Sequence, residues 1–330
     1  MQVEEISIDY SHCIEQAPTN GTFADIPSDK VHSYFKPSNY TSGQPARWRQ
    51  HLAPTRFDNI TRNLTVCEVQ FDVTNDIGPP VLLYYRLTEF YQNHRRYVKS
   101  FDQDQLKGNF RSNGSVDDSD CDPLKLAPDG RAYYPCGLIA NSLFNDSFTS
   151  PVQGNDQSPY NMTNRGIAWD SDRDLYGKSP YSNDQVVPPR NWHDRYPNGY
   201  TENAPQPDLK NWEEFQVWMR TAGLPNFSKL ALRNDNEVMR AGRYAMNITS
   251  SMCSSFHHYF QSSDVEVQSL TQRVSVFPVL EYGGTKSILI STRTVMGGKN
   301  SFLGIAYVAV GGLCVLLGAL FTALHLIKPR

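Results

Sequence analysis

The side chains that could do chemistry stand in a few short clusters. His257-His258 has the composition of a metal pair, but neighbouring strand residues face opposite sides and no third ligand stands nearby; surface histidines are expected. Asp170, Asp172 and Asp174 alternate like the opening of a calcium loop. Leu175 stands where that loop needs glycine for its sharp turn, and the closing glutamate is missing. His94-Arg95-Arg96 could grip a phosphate through the guanidinium forks. The expectation here is instead an internal network with carboxylates such as Glu89 or Asp102, packed under Tyr91 and Tyr97. Acidic residues are plentiful enough for a two-carboxylate glycosidase, yet nothing marks a pair across a cleft. No Gly-x-Ser-x-Gly elbow, phosphate loop, dinucleotide fingerprint or His-Glu-x-x-His motif is present. Nothing in these clusters positively supports catalysis, and neither a cofactor nor a metal is expected.

Composition points to a compartment. The 31 basic and 34 acidic residues exclude a generally basic nucleic-acid binder. Nine Asn-x-Ser/Thr sequons stand at Asn20, Asn39, Asn59, Asn63, Asn113, Asn145, Asn161, Asn226 and Asn247, with none beyond. That density places residues 1 to about 300 in a lumenal or extracellular space, and six cysteines suit the same setting. Cys121 and Cys136 bracket a short acidic, Pro-containing loop, whose closure as a disulfide would contribute about 3 kcal/mol. Cys13 and Cys67 would close a longer loop, contributing roughly 4 kcal/mol. Spacing alone leaves the connectivity open. Cys314 falls in an apolar segment and Cys253 has no evident partner.

That apolar segment, Phe302 to Ile327, contains no Asp, Glu, Lys or Arg. As a helix it would be about 39 Å long, enough to cross a hydrocarbon core of about 30 Å with tilt. Lys328 and Arg330 follow, as on a cytoplasmic side. The expected domains are thus an ectodomain at 1–300, a transmembrane helix at 301–327 and the start of a cytosolic tail at 328–330. Gly304, Gly311 and Gly318 recur every seven residues and would mark a shallow groove where another membrane helix can approach closely.

The ectodomain reads as mainly β with few helices. Cys67, Val69, Phe71 and Val73 alternate with Glu68, Gln70 and Asp72, a half-buried strand. Val81 to Thr88 reads as a more fully buried strand reached through the turn Asn75 to Pro80. Further strands are expected at Arg243–Thr249, Val274–Tyr282 and Lys286–Val295, with Gly283-Gly284 as a hairpin turn and Pro278 pushing its strand to an edge or bulge. One helix is expected, capped by Asp208, with Trp212, Phe215 and Met219 on its core face and Gly223-Leu224-Pro225 ending it. Residues 101–133 and 150–207 read as long loops that could cover a partner's surface. The architecture expected is an antiparallel β-sandwich-like domain plus one C-terminal membrane helix.

The order of residues adds a resemblance. Tyr84, Tyr85, Arg86, Phe90, Tyr91, Gln92, Asn93, His94, Arg95, Arg96 and Tyr97 belong to a run ending at Ser100. That run resembles the signature block of the accessory β-subunits of type-IV P-type ATPases, the lipid flippases (the cell-division-control-protein-50, or ligand-effect-modulator, family). It departs mainly by Glu89 in place of asparagine. Cys136 to Phe148, Gly166-Ile167-Ala168-Trp169, Trp212 to Leu224, Gly283-Gly284-Thr285-Lys286-Ser287 and Gly297 to Tyr307 resemble further family blocks, in order from about Glu5 to Arg330. Fungal members look closest. The resemblance implies the pairings Cys13–Cys67 and Cys121–Cys136, glycans at sites such as Asn145 and Asn247, and a P-type ATPase catalytic subunit as partner beside membrane lipids. It implies a subunit that escorts the ATPase from the endoplasmic reticulum towards Golgi, endosome or plasma membrane and stabilises its transport intermediates. Met1 to Tyr10 is no signal peptide. In the family such a segment follows a first span, and a cytosolic tail follows the last, so the chain is expected to lack that span and both tails. The alternatives are a membrane-anchored ecto-enzyme such as a glycosidase, or a surface receptor or adhesion domain.

Overall fold

Alternation of apolar and polar residues builds the centre of this protein. In the computed structural model, which describes residues 4–36, 44–57, 60–154, 158–192, 195–250, 283–292 and 301–327, two antiparallel sheets share one core. The first sheet runs in the order β12 (Phe227–Asn234), β6 (Val81–Leu87), β14 (Lys286–Thr292), β1 (Glu5–Asp9) and β3 (Val31–Tyr34). Strand β6, paired on both sides, buries Val81, Leu83, Tyr85 and Leu87 on one face, and β1 buries Ile6 and Ile8 between polar neighbours. The second sheet runs β10 (Ser158–Pro159), β9 (Val152–Gln153), β13 (Gly242–Ser250), β5 (Ile60–Val73), β4 (Arg47–Phe57) and β2 (Ala24–Asp25), with β8 (Ser147–Phe148) also on β13. Apart from both, β7 (Ala132–Tyr133) and β11 (Val186–Val187) form a short parallel pair. On β5 the expected alternation holds: Cys67, Val69, Phe71 and Val73 are buried, and the residues between them are half exposed. The inner faces of both large sheets meet in one apolar cluster, the arrangement of a sandwich. Phe148 carries rings across it, packing on Tyr10 and Tyr85 of the first sheet.

Several expectations change in detail. The strand expected to run to Val295 is described only as Lys286–Thr292, and Gly283 turns into it with φ +75°. Val274–Tyr282, Pro278, His257-His258, Cys253, Asn39, Asn59 and residues 328–330 lie outside the described residues.

The expected helix begins later and ends earlier. Its observed span is α7 (Glu213–Met219), numbered after α1 (Cys13–Gln16), α2 (Arg95–Lys99), α3 (Gln103–Leu106), α4 (Asn113–Asp117), α5 (Leu138–Asn141) and α6 (Asp170–Arg173). Asp208 does not cap it, because its carboxylate closes a turn of its own, accepting from Lys210 N (3.1 Å) and Asn211 Nδ2 (2.8 Å). Trp212 is left as N-cap without a side-chain bond. At the other end the Lys229 ammonium donates to the carbonyls of Val217 (2.9 Å), Trp218 (2.8 Å) and Arg220 (2.5 Å), so the chain leaves the helix at Arg220, before any glycine.

The long segments are a second correction. The described residues of 101–133 and 150–207 form only short elements (α3, α4, α6, β7, β9, β10 and β11), but they are packed and not merely laid over the sandwich. Tyr133, Tyr134, Tyr176, Trp192, Tyr196 and Tyr200 are buried and join the same core as Phe215 and Trp218 of α7. Trp192 Nε1 donates to Ala140 O, and Trp218 Nε1 to Ile139 O, which ties this aromatic layer to α5.

Glu4–Thr292 forms one unit, and the terminal helix α8 (Ser301–Ile327) lies in the other. From Gly304 to Ile327 it is uncharged, with mean hydropathy 2.2, long and apolar enough to cross a membrane. Gly304, Gly311 and Gly318 are exposed, and nothing stands within 4 Å of where a Cβ would project at any of them. The Thr322 hydroxyl is satisfied within the helix by Gly318 O at 2.8 Å.

Candidate docking surface and the buried networks behind it

The run from Tyr84 to Ser100 divides by direction. Tyr85 and Phe90 enter the core, where Tyr85 stacks on Phe144 with centroids 4.2 Å apart and Phe90 packs against Tyr97, Trp218 and Phe227. Gln92 is fully buried; its amide oxygen accepts from Ala222 N at 2.9 Å and its nitrogen donates to Tyr97 Oη at 3.4 Å. Tyr97 Oη pairs with Ser142 Oγ at 2.8 Å, and burial raises its pKa above the ordinary tyrosine value. Ser100 Oγ donates to Asp122 O at 2.7 Å and accepts from Leu138 N at 2.8 Å. Gly137 permits this approach: its φ is +98°, and a Cβ there would collide with Ser100 O. Ser100 is thus clamped between residues that follow each half of the disulfide Cys121–Cys136 (Cα–Cα 5.7 Å).

The outward half is charged. Tyr91, Asn93, His94, Arg95, Arg96 and Lys99 are exposed, as is Arg86 on β6, while Tyr84 is half buried. The expected internal network of His94-Arg95-Arg96 is not formed among the described residues. Asp102 is taken by Arg111 (3.2 Å) and by the N-cap bond from Gln105 N (2.8 Å), and Glu89 accepts from Tyr91 Oη (2.9 Å). Tyr91, expected as part of the cover, is itself exposed.

Glu89 is the non-glycine residue with positive φ, at 54°, among the described residues. Asparagine enters that region far more readily, and it is asparagine that the resembling signature carries here. The Glu89 amide donates to Asn226 Oδ1 at 3.0 Å, holding the turn.

A second network links blocks far apart in sequence. Lys286 Nζ lies 2.8 Å from Asp146 Oδ2, and Tyr10 Oη donates to the same oxygen at 2.9 Å. Side-chain exposure is 5% for Lys286 and 0% for Asp146, so this ion pair is cut off from water. Burial first, then the Asp146 charge and hydrogen bond, raise the Tyr10 pKa well above the usual value. Third, the buried Glu213 carboxylate accepts from Ile167 N (2.9 Å) and Ala168 N (3.1 Å), fastening the Gly166-to-Trp169 stretch to α7. Burial, followed by the Arg220 charge, pulls Lys229 down to about 7; the three helix carbonyls oppose this by accepting from its ammonium. Sequence reading gave none of Asp146, Lys286, Glu213 and Lys229 a role of its own. The signal available was an ionisable residue lying within or beside a family-like block.

The remaining candidates are scattered. Cys13 and Cys67 are bonded (Cα–Cα 6.1 Å), joining the segment after β1 to β5 and so one sheet to the other. Cys314 is a free, exposed thiol on α8. Asn20, Asn63, Asn113, Asn161 and Asn226 are exposed, and Asn145 and Asn247 are half buried. Asn20 Oδ1 accepts from Thr22 N and Oγ1 within its own sequon. Asp172 is held by Arg220 (3.4 Å) and Asp170 lies 3.9 Å from Arg173, which makes this acidic stretch part of α6 and its ion pairs.

The described residues thus combine a disulfide-stapled β-sandwich with aromatic-packed loops and a helix long and apolar enough to cross a membrane. The profile described as LEM3 (ligand-effect modulator 3) family / CDC50 family matches residues 1–330, and the chain belongs to that family. It is 40% identical to the "Phospholipid-transporting ATPase accessory subunit CDC50" of Chaetomium thermophilum, over 99% of this chain and 77% of that protein. Identity is 39% to the "Phospholipid-transporting ATPase accessory subunit CRF1" of Saccharomyces cerevisiae, over 100% and 75%. With the mouse "Cell cycle control protein 50A" it is 33%, over 87% and 74%.

Proposed function

We propose that this protein is a non-catalytic β-subunit of a phospholipid-translocating P-type ATPase, bound to the catalytic subunit as a heterodimer. What carries the reading is the family match along the whole chain, to fungal relatives named as accessory subunits of phospholipid-transporting ATPases. The physics is consistent with that role. A subunit acts by binding one conformation of its partner better than another, and it needs a stiff surface to do so. Two disulfides and three buried polar networks stiffen this one.

In this reading residues 1–300 form the lumenal or extracellular domain, 301–327 cross the membrane among lipids, and 328–330 begin the cytosolic side. The groove at Gly304, Gly311 and Gly318 packs against a partner helix, and the sequons, Asn145 and Asn247 foremost, carry glycans. The protein accompanies its ATPase from the endoplasmic reticulum to Golgi, endosome or plasma membrane. Affinity purification of the full-length protein from mild-detergent membranes tests this. A near-stoichiometric P-type ATPase is the expected companion; a clean protein delivered normally to the surface without one refutes the reading.

A further inference from the structure

Helix α2 is built against its own interest. Its N-cap, His94, makes no side-chain capping bond, and its first turn carries no carboxylate. Arg95 instead places a permanent charge on the positive pole of the helix, Arg96 adds a second within the same single turn, and Lys99 stands one turn after Arg95 as a like charge. The five-residue segment is held in place from behind by Gln92, Tyr97 and Ser100. Elsewhere the described arginine side chains are engaged, as in Arg47–Asp25, Arg49–Glu68, Arg111–Asp102 and Arg243–Asp72. Arg86, Arg95 and Arg96 alone make no ion pair, hydrogen bond or ring contact among the described residues, and all three belong to this one run. Local rules broken with no compensation among the described residues mark a surface kept for a partner.

The surroundings indicate what that is. Asn93 Nδ2 donates to Gly223 O (3.1 Å) and Gln92 receives Ala222 N, which sets exposed Leu224 (69%) on the same edge as exposed Tyr91 (55%). Arginine and tyrosine are enriched at protein interfaces, where guanidinium forks grip carboxylates, and exposed Leu224 adds an apolar contact. An anionic membrane surface is typically met by about four to eight lysines and arginines, more than α2 carries. We propose that the outward face of Tyr91, His94, Arg95, Arg96, Lys99 and Leu224 docks an acidic polypeptide segment that also presents apolar side chains. The proposal rests on the subunit reading only for the partner's identity, the catalytic subunit.

The test uses the full-length protein in neutral-lipid nanodiscs, with a fluorescent Glu/Leu peptide as probe and phosphatidylserine vesicles beside it. The double variant Arg95→Glu/Arg96→Glu is expected to bind the peptide at least about ten-fold more weakly and to prefer a Lys/Leu peptide instead. It should melt no lower than the wild type, which separates lost docking from lost folding. ATPase recovery by the variant should fall by a similar factor. Unchanged peptide binding in the variant, or vesicle binding without peptide binding in the wild type, overturns the docking surface. Equal ATPase recovery by variant and wild type overturns it too while leaving the subunit reading intact. A wild type that recovers no ATPase refutes the subunit reading, and the peptide measurement then decides the surface alone.

Discussion

Replacing Lys286 by methionine removes the cation of an enclosed ion pair. The substitution roughly conserves volume but strips Asp146 of its cation at 2.8 Å, leaving Tyr10 Oη to donate to that carboxylate. With Asp146 fully enclosed, water cannot replace the ammonium. Breaking a buried pair from one side costs about 3–5 kcal/mol. For a domain of this size each kcal/mol moves the melting point by about 2–4 °C, so Lys286→Met should melt roughly 6–20 °C lower. Removing both charges is different, because an apolar pair of similar volume is often neutral. Asp146→Leu/Lys286→Met should therefore recover most of the loss, and Asp146→Leu leaves the sequon of Asn145 intact. Tyr10→Phe should cost about 1–2 kcal/mol through the hydrogen bond alone. The assay is non-reducing thermal unfolding of the detergent-solubilised protein, read as a double-mutant cycle. Singles that each cost under about 1 kcal/mol and simply add would refute the claim that this pair is enclosed and coupled.

Glu89→Asn should raise stability by about 1 kcal/mol, because the φ of 54° strains glutamate more than asparagine; an unchanged or lower melting point counts against it. Cys121→Ser/Cys136→Ser, opening a separation of 15, should lose about 3 kcal/mol in denaturant titration, and Cys13→Ser/Cys67→Ser, with 54, about 4 kcal/mol. A reversed order would mean that strain, and not loop entropy, dominates. Tyr10, Tyr85 and Tyr200 have pKa values raised by burial, so the folded state keeps protons that the unfolded chain gives up above about pH 10. Stability present below that value should fall as pH rises through it, by up to about 1.4 kcal/mol per unit for each such tyrosine, and flat urea midpoints from about pH 9 to 11 would exclude this.

What could be read from the sequence follows the hydrophobic pattern. The expected segments on β5, β6 and β13 were legible because their buried faces are apolar. In β1 and just after it the same signal stood in Ile6, Ile8 and Tyr10. Strand β12 could not be read, since its buried positions are Lys229, Ala231 and Asn234, with a register shift between Leu230 and Leu232. There the inward lysine serves α7, and Asn234 bonds Asn161 O and the amides of Asn236 and Glu237. Strand β4 hides behind Pro54 and an inward Gln50, which donates to Ile14 O and Ala17 O. The buried triad was illegible for another reason: Tyr10, Asp146 and Lys286 are separated by well over a hundred residues, and only the fold brings them together. The docking run was located through its resemblance, but its cations were assigned to carboxylates that already had nearer partners.

That misassignment leads to the sharpest test of the docking surface. If Arg95 and Arg96 served the fold, reversing their charge would destabilise it. The geometry says the opposite. Glutamate in the first turn of α2 would face the positive pole of the helix, and Arg95→Glu would give Lys99 an attractive i,i+4 partner in place of a repulsive one. For exposed groups on a short helix these terms are small, about 0.3–1 kcal/mol each at low salt. Arg95→Glu/Arg96→Glu should therefore melt at or slightly above the wild-type temperature while capturing less acidic peptide and less ATPase. Stability and binding moving in opposite directions is what a surface kept for a partner produces. If both fall together, the arginines are holding the fold through a contact outside the described residues, and the docking surface must be sought elsewhere.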